Sequence, residues 1–218
     1  MDKASDLGHR WDHQLAAPLG RVASGRLVIG PKAARLSVRG DPAMAELYQA
    51  RFQSPPPAVQ VQGGAVTVRY PRMARLTGLR AALGPPPRGQ LRLNASIPWH
   101  VRVHGGTAHT SFDLSGLTLY ALELGGGVSD VEVLLPTPAG TVPVRVAGGV
   151  HRLTVLRPAG VDVRVRVGHG TRRLTLDDQH FGAIGGRTRW HSPDYHRTCD
   201  RYDIAVSGGA DTLTLEAS

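Results

Sequence analysis

Two histidines and the single cysteine of the chain lie close together near its C-terminal end. Four residues separate His191 from His196, and two residues separate His196 from Cys199. Imidazole nitrogen and thiolate sulfur are preferred ligands of Zn²⁺, so this segment is the candidate metal site of the sequence. The spacing matches no specific zinc motif, and the segment reads as a loop. We therefore expect no metal and no cofactor, and keep these three side chains as weak candidates.

Acid–base catalysis would require carboxylates that converge on one face of the fold. Asp113 and the pair Asp177–Asp178 are the candidates, since sugar cleavage uses two carboxylates that flank the scissile bond. The acidic residues are instead spread among arginines, and no Gly-x-Ser-x-Gly element, phosphate loop or dinucleotide-binding fingerprint stands out. The sequence therefore predicts no enzyme, no catalytic residue and no small-molecule substrate. A sugar hydrolase or lyase is the third-ranked hypothesis.

One segment carries positive charge without any acidic residue. The chain has a formal net charge of +9, and from Leu47 to Phe112 it contains eight arginines and no Asp or Glu. Such a segment suits a phosphate backbone, an anionic lipid or an acidic protein partner. The alternative is that these arginines lie on separate strands and never converge, because charge runs are usually solvated faces. If they converge, the partner-binding surface consists of Arg69, Arg72, Arg75, Arg80, Arg88 and Arg92.

The elements that would position these side chains follow a repeat marked by glycine pairs. Each unit runs from an alternating apolar stretch into the glycines and then into a second apolar stretch. A period of about 21 residues predicts a stacked array in which each unit buries its apolar face against its neighbours. The glycines expected at the turns are Gly64, Gly106, Gly127, Gly149, Gly170 and Gly209, at steps of 42, 21, 22, 21 and 39 residues.

The alternation of apolar and polar residues indicates strands with one buried and one solvated face. We therefore predict an all-β fold, a β-solenoid or β-stack of coils of about 21 residues, with a β-sandwich as the alternative. One short helix is expected over residues 42–52. Asp41 and Pro42 resemble a helix start, and apolar residues follow at helical spacing.

The domain organisation expected from this pattern is a single repeat domain over residues 21–218. Within it, residues 21–70 hold weaker repeats, residues 71–90 form a basic loop and residues 91–218 form regular coils. Residues 1–20 are polar and read as a flexible arm or a cap on the array, with Trp11 as a candidate capping residue. We expect no membrane-spanning segment and no secretion signal, and a cytoplasmic location.

Several of these repeats resemble the toastrack or putative-adhesin family, the β-stack domain (DUF4097-type) related to the C-terminal part of LiaF and PspC. The resemblance rests on Trp99–Gly106, Phe112–Leu114, Leu135–Gly140 and Ile204–Gly209, and is weaker over residues 26–70. It implies a β-stack fold and a role as an interaction or polymerising module in bacterial envelope-stress or signalling systems. The family has no agreed catalytic residues.

The sequence thus favours a non-enzymatic bacterial scaffold that binds a protein partner or associates with itself. The alternative is binding of nucleic acid or another anionic polymer through the arginine-rich region 51–102. Against nucleic acid, this region has few aromatic residues and no helix-turn-helix or RNA-binding signature.

Overall fold

A computed structural model describes residues 11–31, 33–70 and 88–218, which form two mixed sheets and no helix. The predicted all-β stack is confirmed. Sheet A contains β1 (His13–Pro18), β3 (Ala33–Ala34), β4 (Leu36–Asp41), β5 (Glu46–Phe52), β8 (Gly89–Asn94), β10 (Thr107–Asp113), β12 (Val128–Leu134), β14 (Val150–Arg157), β16 (Thr171–Leu176), β17 (Gln179–Phe181) and β20 (Ala210–Ala217).

The second sheet, sheet B, packs its apolar side against sheet A in one shared core. Its strands are β2 (Gly25–Ile29), β6 (Ala58–Gln62), β7 (Ala65–Arg69), β9 (Pro98–His104), β11 (Thr118–Gly125), β13 (Thr141–Val146), β15 (Asp162–Val167), β18 (Thr188–His191) and β19 (Arg201–Val206).

Each coil of the stack is one strand of sheet B followed by one strand of sheet A. Neighbouring coils pair in parallel in both sheets, in the spatial order β7–β8, β2–β4, β9–β10, β11–β12, β13–β14, β19–β20 and β15–β16. The chain order is therefore broken at both ends. The first coil in sequence lies second in the stack, and the last coil, β19–β20, is inserted between β13–β14 and β15–β16.

Antiparallel strands flank the parallel coils at both ends of the stack. At one end β5 pairs with β8, β1 pairs with β5, and β6 pairs with β7. At the other end β17 pairs with β16, and β18 pairs with β15. These strands take up backbone hydrogen-bonding groups that the outermost coils would otherwise leave unpaired.

The core is built from ladders of aliphatic side chains in register between coils. Val144 pairs with Ile204, which pairs with Val165, and all three are at most 2% exposed. Burial of one such side chain contributes roughly 2 kcal/mol relative to leaving it in water. The one buried tryptophan in the described residues, Trp99, donates its indole N–H to the carbonyl of Asn94 at 2.7 Å.

Of the predicted turn glycines, Gly64 lies in the hairpin turn between β6 and β7 of sheet B, and the other five lie at corners where sheet B passes to sheet A. At most of these corners, the first glycine of the pair has less room for a Cβ atom than the second. A Cβ on Gly148 would lie 2.4 Å from the backbone of Gly126, and one on Gly126 would lie 2.5 Å from Gly105. A Cβ on Gly149 would meet its nearest backbone atom at an ordinary 3.8 Å. Coils therefore approach one another backbone to backbone at this corner.

The predicted helix over residues 42–52 is wrong, because Glu46–Phe52 forms β5. The carboxylate of Asp41 does accept a hydrogen bond from the backbone N–H of Ala43 at 3.0 Å, as in a helix start. The side-chain amide of Asn94 then donates to the carbonyls of Met44 (2.7 Å) and Glu46 (2.9 Å). These contacts with the neighbouring strand end the turn and leave the segment extended.

Candidate interaction surface

Strand alternation directs the arginines of sheet B away from the core. In β15, Val163 and Val165 are buried, while Arg164 and Arg166 between them point outward. The same alternation recurs in β9, β13 and β18. The polar residues between the core valines therefore form the outer surface of sheet B.

We call the outer surface of sheet B the arginine face, because its strands carry eight arginines and three carboxylates. The strands of sheet A, by contrast, carry equal numbers, seven arginines and seven carboxylates. The arginine face has Asp162, Asp203 and Glu123 as its acidic residues. Its arginines are Arg26, Arg69, Arg102, Arg145, Arg164, Arg166, Arg189 and Arg201.

The middle of the arginine face is a cross-strand row. From β9 to β18 the register aligns Arg102, Glu123, Arg145, Ala205, Arg166 and Arg189. Arg102 and Glu123 form an ion pair at 2.6 Å. The hydrogen bond from Arg102 lowers the pKa of Glu123, although partial burial opposes this. Strands lie about 4.8 Å apart, so the row presents charges at a regular spacing.

Asp203 is the carboxylate that organises the centre of this surface. Three guanidinium groups donate to its oxygens: Arg145 at 3.2 Å, Arg164 at 3.0 Å and Arg166 at 2.8 Å. Burial of the carboxylate opposes ionisation, but hydrogen bonds from Arg164 and Arg166 and the charge of Arg145 together hold the pKa of Asp203 below its usual range. One carboxylate therefore fixes three arginines and leaves a surplus of positive charge.

The segment after β18 fastens the edge of the arginine face. Ser192 accepts a hydrogen bond from the backbone N–H of Val163 at 3.0 Å and donates its hydroxyl to Asp162 at 2.6 Å. The buried ring of Tyr195 lies against the guanidinium groups of Arg164 and Arg201, at 5.1 and 4.6 Å from the ring centroid. These contacts limit the motion of both arginines.

A groove with a volume of about 390 Å³ crosses the arginine face between β13 and β18. Its walls include the side chains of Arg145, Arg166, Arg187 and Arg189, and its floor is formed by small residues: Ala147, Ala205, Ser207 and Gly168. A second groove of about 350 Å³ adjoins it at Arg145 and Ala147 and continues toward Arg102. Small residues at the strand ends, beside long arginines, create both depressions.

The described arginines of the sequence-based prediction are divided between the two sheets. Arg69 lies at the end of β7 and belongs to the arginine face. Arg92 lies on β8 in sheet A, where it pairs with Asp41, and Arg88 directly precedes that strand. Arg72, Arg75 and Arg80 lie outside the described residues, as do residues 1–10.

The three weak metal candidates are only partly brought together. The rings of His191 and His196 are in contact, with centroids 5.0 Å apart, and Cys199 is exposed. Within residues 11–31, 33–70 and 88–218, no group of three or more His, Cys, Asp or Glu side chains is placed to hold a metal ion.

The candidate catalytic carboxylates do not form a pair. Asp177 accepts hydrogen bonds from Arg157 at 2.7 and 2.8 Å, and Asp113 accepts one from the hydroxyl of Ser115 at 2.6 Å. Asp113 ends β10 and Asp177 directly follows β16, and these two strands are four strand positions apart in sheet A, or about 19 Å. Glycosidase carboxylates lie about 5 to 9.5 Å apart, so these two cannot flank one glycosidic bond.

The sequence did not reveal the arginine face, because basic and acidic side chains occur in nearly equal numbers along this part of the chain but not on the surface of sheet B. Residues 113–218 contain nearly equal numbers of basic and acidic side chains. Of these, the strands of sheet B hold five arginines and three carboxylates, and the strands of sheet A hold four arginines and five carboxylates. The available signal was the pattern in which arginine alternates with valine, as in Val163–Val167 and Val101–Val103.

Comparison with known proteins supports the same fold. Residues 59–156 match the family model of the N-terminal domain of toast_rack, DUF2154. The crystal structure of a putative cell adhesion protein from Clostridium sporogenes ATCC 15579 resembles this chain with a TM-score of 0.75 and 16% identity, covering 94% of this chain and 98% of that one. No curated protein matches the chain. The resemblance to the toastrack or putative-adhesin family is confirmed, and at this identity the structural likeness concerns the fold.

Proposed function

We propose that this toastrack-type β-stack is a non-enzymatic protein-interaction module that binds an acidic partner on its arginine face. The observation that carries the proposal is the surplus of arginine over carboxylate on the outer surface of sheet B. Guanidinium groups bind carboxylates with two parallel hydrogen bonds, so they give an acidic partner both affinity and orientation.

The construction of the sheet supports a binding role. The arginine face rests on parallel strands whose backbone hydrogen bonds continue from coil to coil, so the Cα positions of its arginines are fixed in advance, and Asp203 holds three of the side chains. A surface that is already ordered loses little conformational entropy when it binds. The toastrack resemblance and the adhesion-protein fold are consistent with a protein partner.

The finer parts of the proposal follow from the resemblance and the sequence. The partner belongs to a bacterial envelope-stress or signalling system, and the module acts in the cytoplasm, where it also associates with itself. The part of the chain that the structure describes contains no helix long and apolar enough to cross a bilayer.

The test is a pull-down from nuclease-treated lysate with three proteins: the wild type, a face variant and a control variant. The face variant carries Arg26→Glu, Arg69→Glu and Arg189→Glu, all at exposed positions of the arginine face. The control variant carries Arg21→Glu, Arg39→Glu and Arg51→Glu, which change the net charge equally and lie elsewhere on the molecule. Captured proteins are identified by mass spectrometry and reconstituted with the purified module in size-exclusion chromatography with light scattering.

A protein that forms a defined complex with the wild type and the control variant, but not with the face variant, supports the proposal. A complex that the face variant retains contradicts it. Recovery dominated by nucleic acid, in a sample without nuclease, and lost in the face variant would favour the alternative of an anionic-polymer binder, for which salt dependence is the signature.

A further inference from the structure

The groove between β13 and β18 differs from the rest of the arginine face because part of its positive charge is unpaired. Arg145 and Arg166 are held by Asp203, but the side chains of Arg187 and Arg189 form no hydrogen bond or ion pair with any residue that the structure describes. Both are exposed. None of the described residues that line the groove is acidic, and Asp203 holds Arg145 and Arg166 from outside this lining.

The shape of the groove suits a chain rather than a single ion. It crosses four strands, β13, β19, β15 and β18, and therefore extends about 14 Å. That length corresponds to about four residues of an extended peptide. Alanine, serine and glycine along its floor leave room for a backbone, while the arginines on its walls reach the side chains of that backbone.

We propose that this groove binds an extended acidic segment of the partner protein, with the segment's carboxylates on Arg187 and Arg189 and its backbone over Ala205 and Ser207. The inference rests on the proposed function and names the chemistry of the partner. Asp203 acts as a positioning residue, because it holds Arg145 and Arg166 at the groove wall without occupying the groove.

The first test measures binding of a fluorescein-labelled hexaglutamate peptide to the full-length protein by fluorescence anisotropy, with a hexaglutamine peptide as the uncharged control. We expect saturable binding of hexaglutamate at moderate salt. The double variant Arg187→Ser/Arg189→Ser should weaken it about tenfold or more, as expected for loss of direct charge contacts. The matched variant Arg39→Ser/Arg51→Ser removes the same charge from sheet A and should change the affinity by less than about twofold.

The second test fills the groove from within. Ala205 lies in register between Arg145 and Arg166, so Ala205→Glu places a carboxylate in the groove that competes with the peptide. We expect Ala205→Glu to weaken hexaglutamate binding about tenfold. Ala205→Gln, which has the same size and no charge, should retain it within about threefold. The melting temperatures of both variants verify that the fold is intact.

Several outcomes would overturn the inference. Equal weakening by the Arg187/Arg189 and Arg39/Arg51 pairs would show attraction to net charge alone, and equal effects of glutamate and glutamine at position 205 would place the peptide elsewhere. A single-stranded DNA hexanucleotide that binds more tightly than hexaglutamate, with the same dependence on Arg187 and Arg189, would overturn the assignment to a protein segment.

The two proposals fail differently. If hexaglutamate does not bind, but a captured partner still depends on Arg26, Arg69 and Arg189 together, the groove assignment falls and the proposed function stands. If hexaglutamate binds in the groove and no protein complex depends on the arginine face, the proposed function falls instead. If neither dependence is found, both fall.

Discussion

Asp203 is the residue on which the centre of the arginine face depends. It is almost fully buried, and its three arginine partners are 35–42% exposed. If the carboxylate is removed, the arginines repel one another, but they can turn toward water. The cost should therefore lie below the value of about 3–5 kcal/mol for breaking a fully buried pair.

The first prediction is that Asp203→Asn lowers the free energy of unfolding by about 2 kcal/mol at pH 7. Urea denaturation measures the change. Glu123→Gln serves as the control, because the Arg102–Glu123 pair is exposed, and it should cost at most about 1 kcal/mol. Equal losses in the two variants would contradict a special role for Asp203.

The same residue predicts a pH dependence in acid. The pKa of Asp203 is lower in the folded protein than in the unfolded chain, so its contribution is fully present above the unfolded value of about 4 and is lost as the pH falls through the folded value. The stability difference between wild type and Asp203→Asn should therefore shrink below about pH 4. A difference that stays constant down to pH 2 would argue against the lowered pKa.

Tyr202 predicts the opposite behaviour in alkali. Its hydroxyl is buried and donates to the carbonyl of Pro136 at 2.6 Å, and burial raises the pKa of this phenol. The stability that depends on Tyr202 is therefore complete below the unfolded pKa of about 10 and is lost as the pH rises toward the folded value.

Tyr202→Phe should cost about 1 kcal/mol at pH 7, the usual value of one hydrogen bond. It should also flatten the loss of stability between about pH 10 and pH 12. Tyr120→Phe is the control, because Tyr120 is 48% exposed and should change neither quantity. Thermal melts across this pH range make the comparison, and parallel curves for Tyr202→Phe and the wild type would contradict the prediction.

At the level of the elements, the corner between the two sheets is the most constrained part of the coil. The backbones of successive coils touch at Gly126, Gly148 and Gly208, where a Cβ would lie 2.4–2.5 Å from a backbone atom of the next coil, and a Cβ on Gly105 would lie 2.7 Å from the side chain of Pro31. The stacking distance of the strands leaves no space for a methyl group there. The glycines that follow them have more room at most corners.

The contact between coils β11–β12 and β13–β14 offers a matched pair of substitutions. Gly148→Ala should lower the free energy of unfolding by about 3 kcal/mol, because the methyl group would push two coils apart. Gly149→Ala, at the adjacent residue, should cost about 1 kcal/mol or less. Chemical denaturation of both variants tests this, and equal effects would show that the corner can relax.

The sequence revealed the coils but not their arrangement. Glycine pairs at steps of 21 and 22 residues identified the period, because each marks the same corner. The long step from Gly170 to Gly209 contains β17 and β18, which are the antiparallel end strands of the two sheets. No local sequence pattern distinguishes such a segment from a repeat that has lost its glycine pair. The order of coils in space depends on which edges pair, and that is a property of the assembled core.

The candidate site was predictable only in part, for a related reason. The alternation around Val163 and Val165 indicated that Arg164 and Arg166 share a face, but the pairing of β15 with β19 and β18 decides which charges stand beside them. The helix expected over residues 42–52 failed because Asn94, about fifty residues away, holds that turn open. Both depend on contacts between distant segments.

For the whole molecule, we expect the antiparallel strands at the two ends of the stack to prevent one molecule from pairing with another. β1 covers the edge of β5 at one end of sheet A. Deleting residues 2–20 removes β1 and exposes a strand edge, so the protein should form oligomers, which light scattering detects as an increased mass. Deleting residues 2–10 leaves β1 in place and should give the wild-type mass. An unchanged mass after the longer deletion would contradict a capping role.

The position of the last coil has a consequence for synthesis on the ribosome. The coil β19–β20 is synthesised after β13–β14 and β15–β16, yet it lies between these two coils in the stack. Until β19–β20 is made, the nascent chain lacks the coil that lies between β13–β14 and β15–β16 in the stack. A chain released early by a premature stop lacks an interior layer instead of a terminal one. Quality-control proteases would meet such a chain as an open structure, although only one coil is missing.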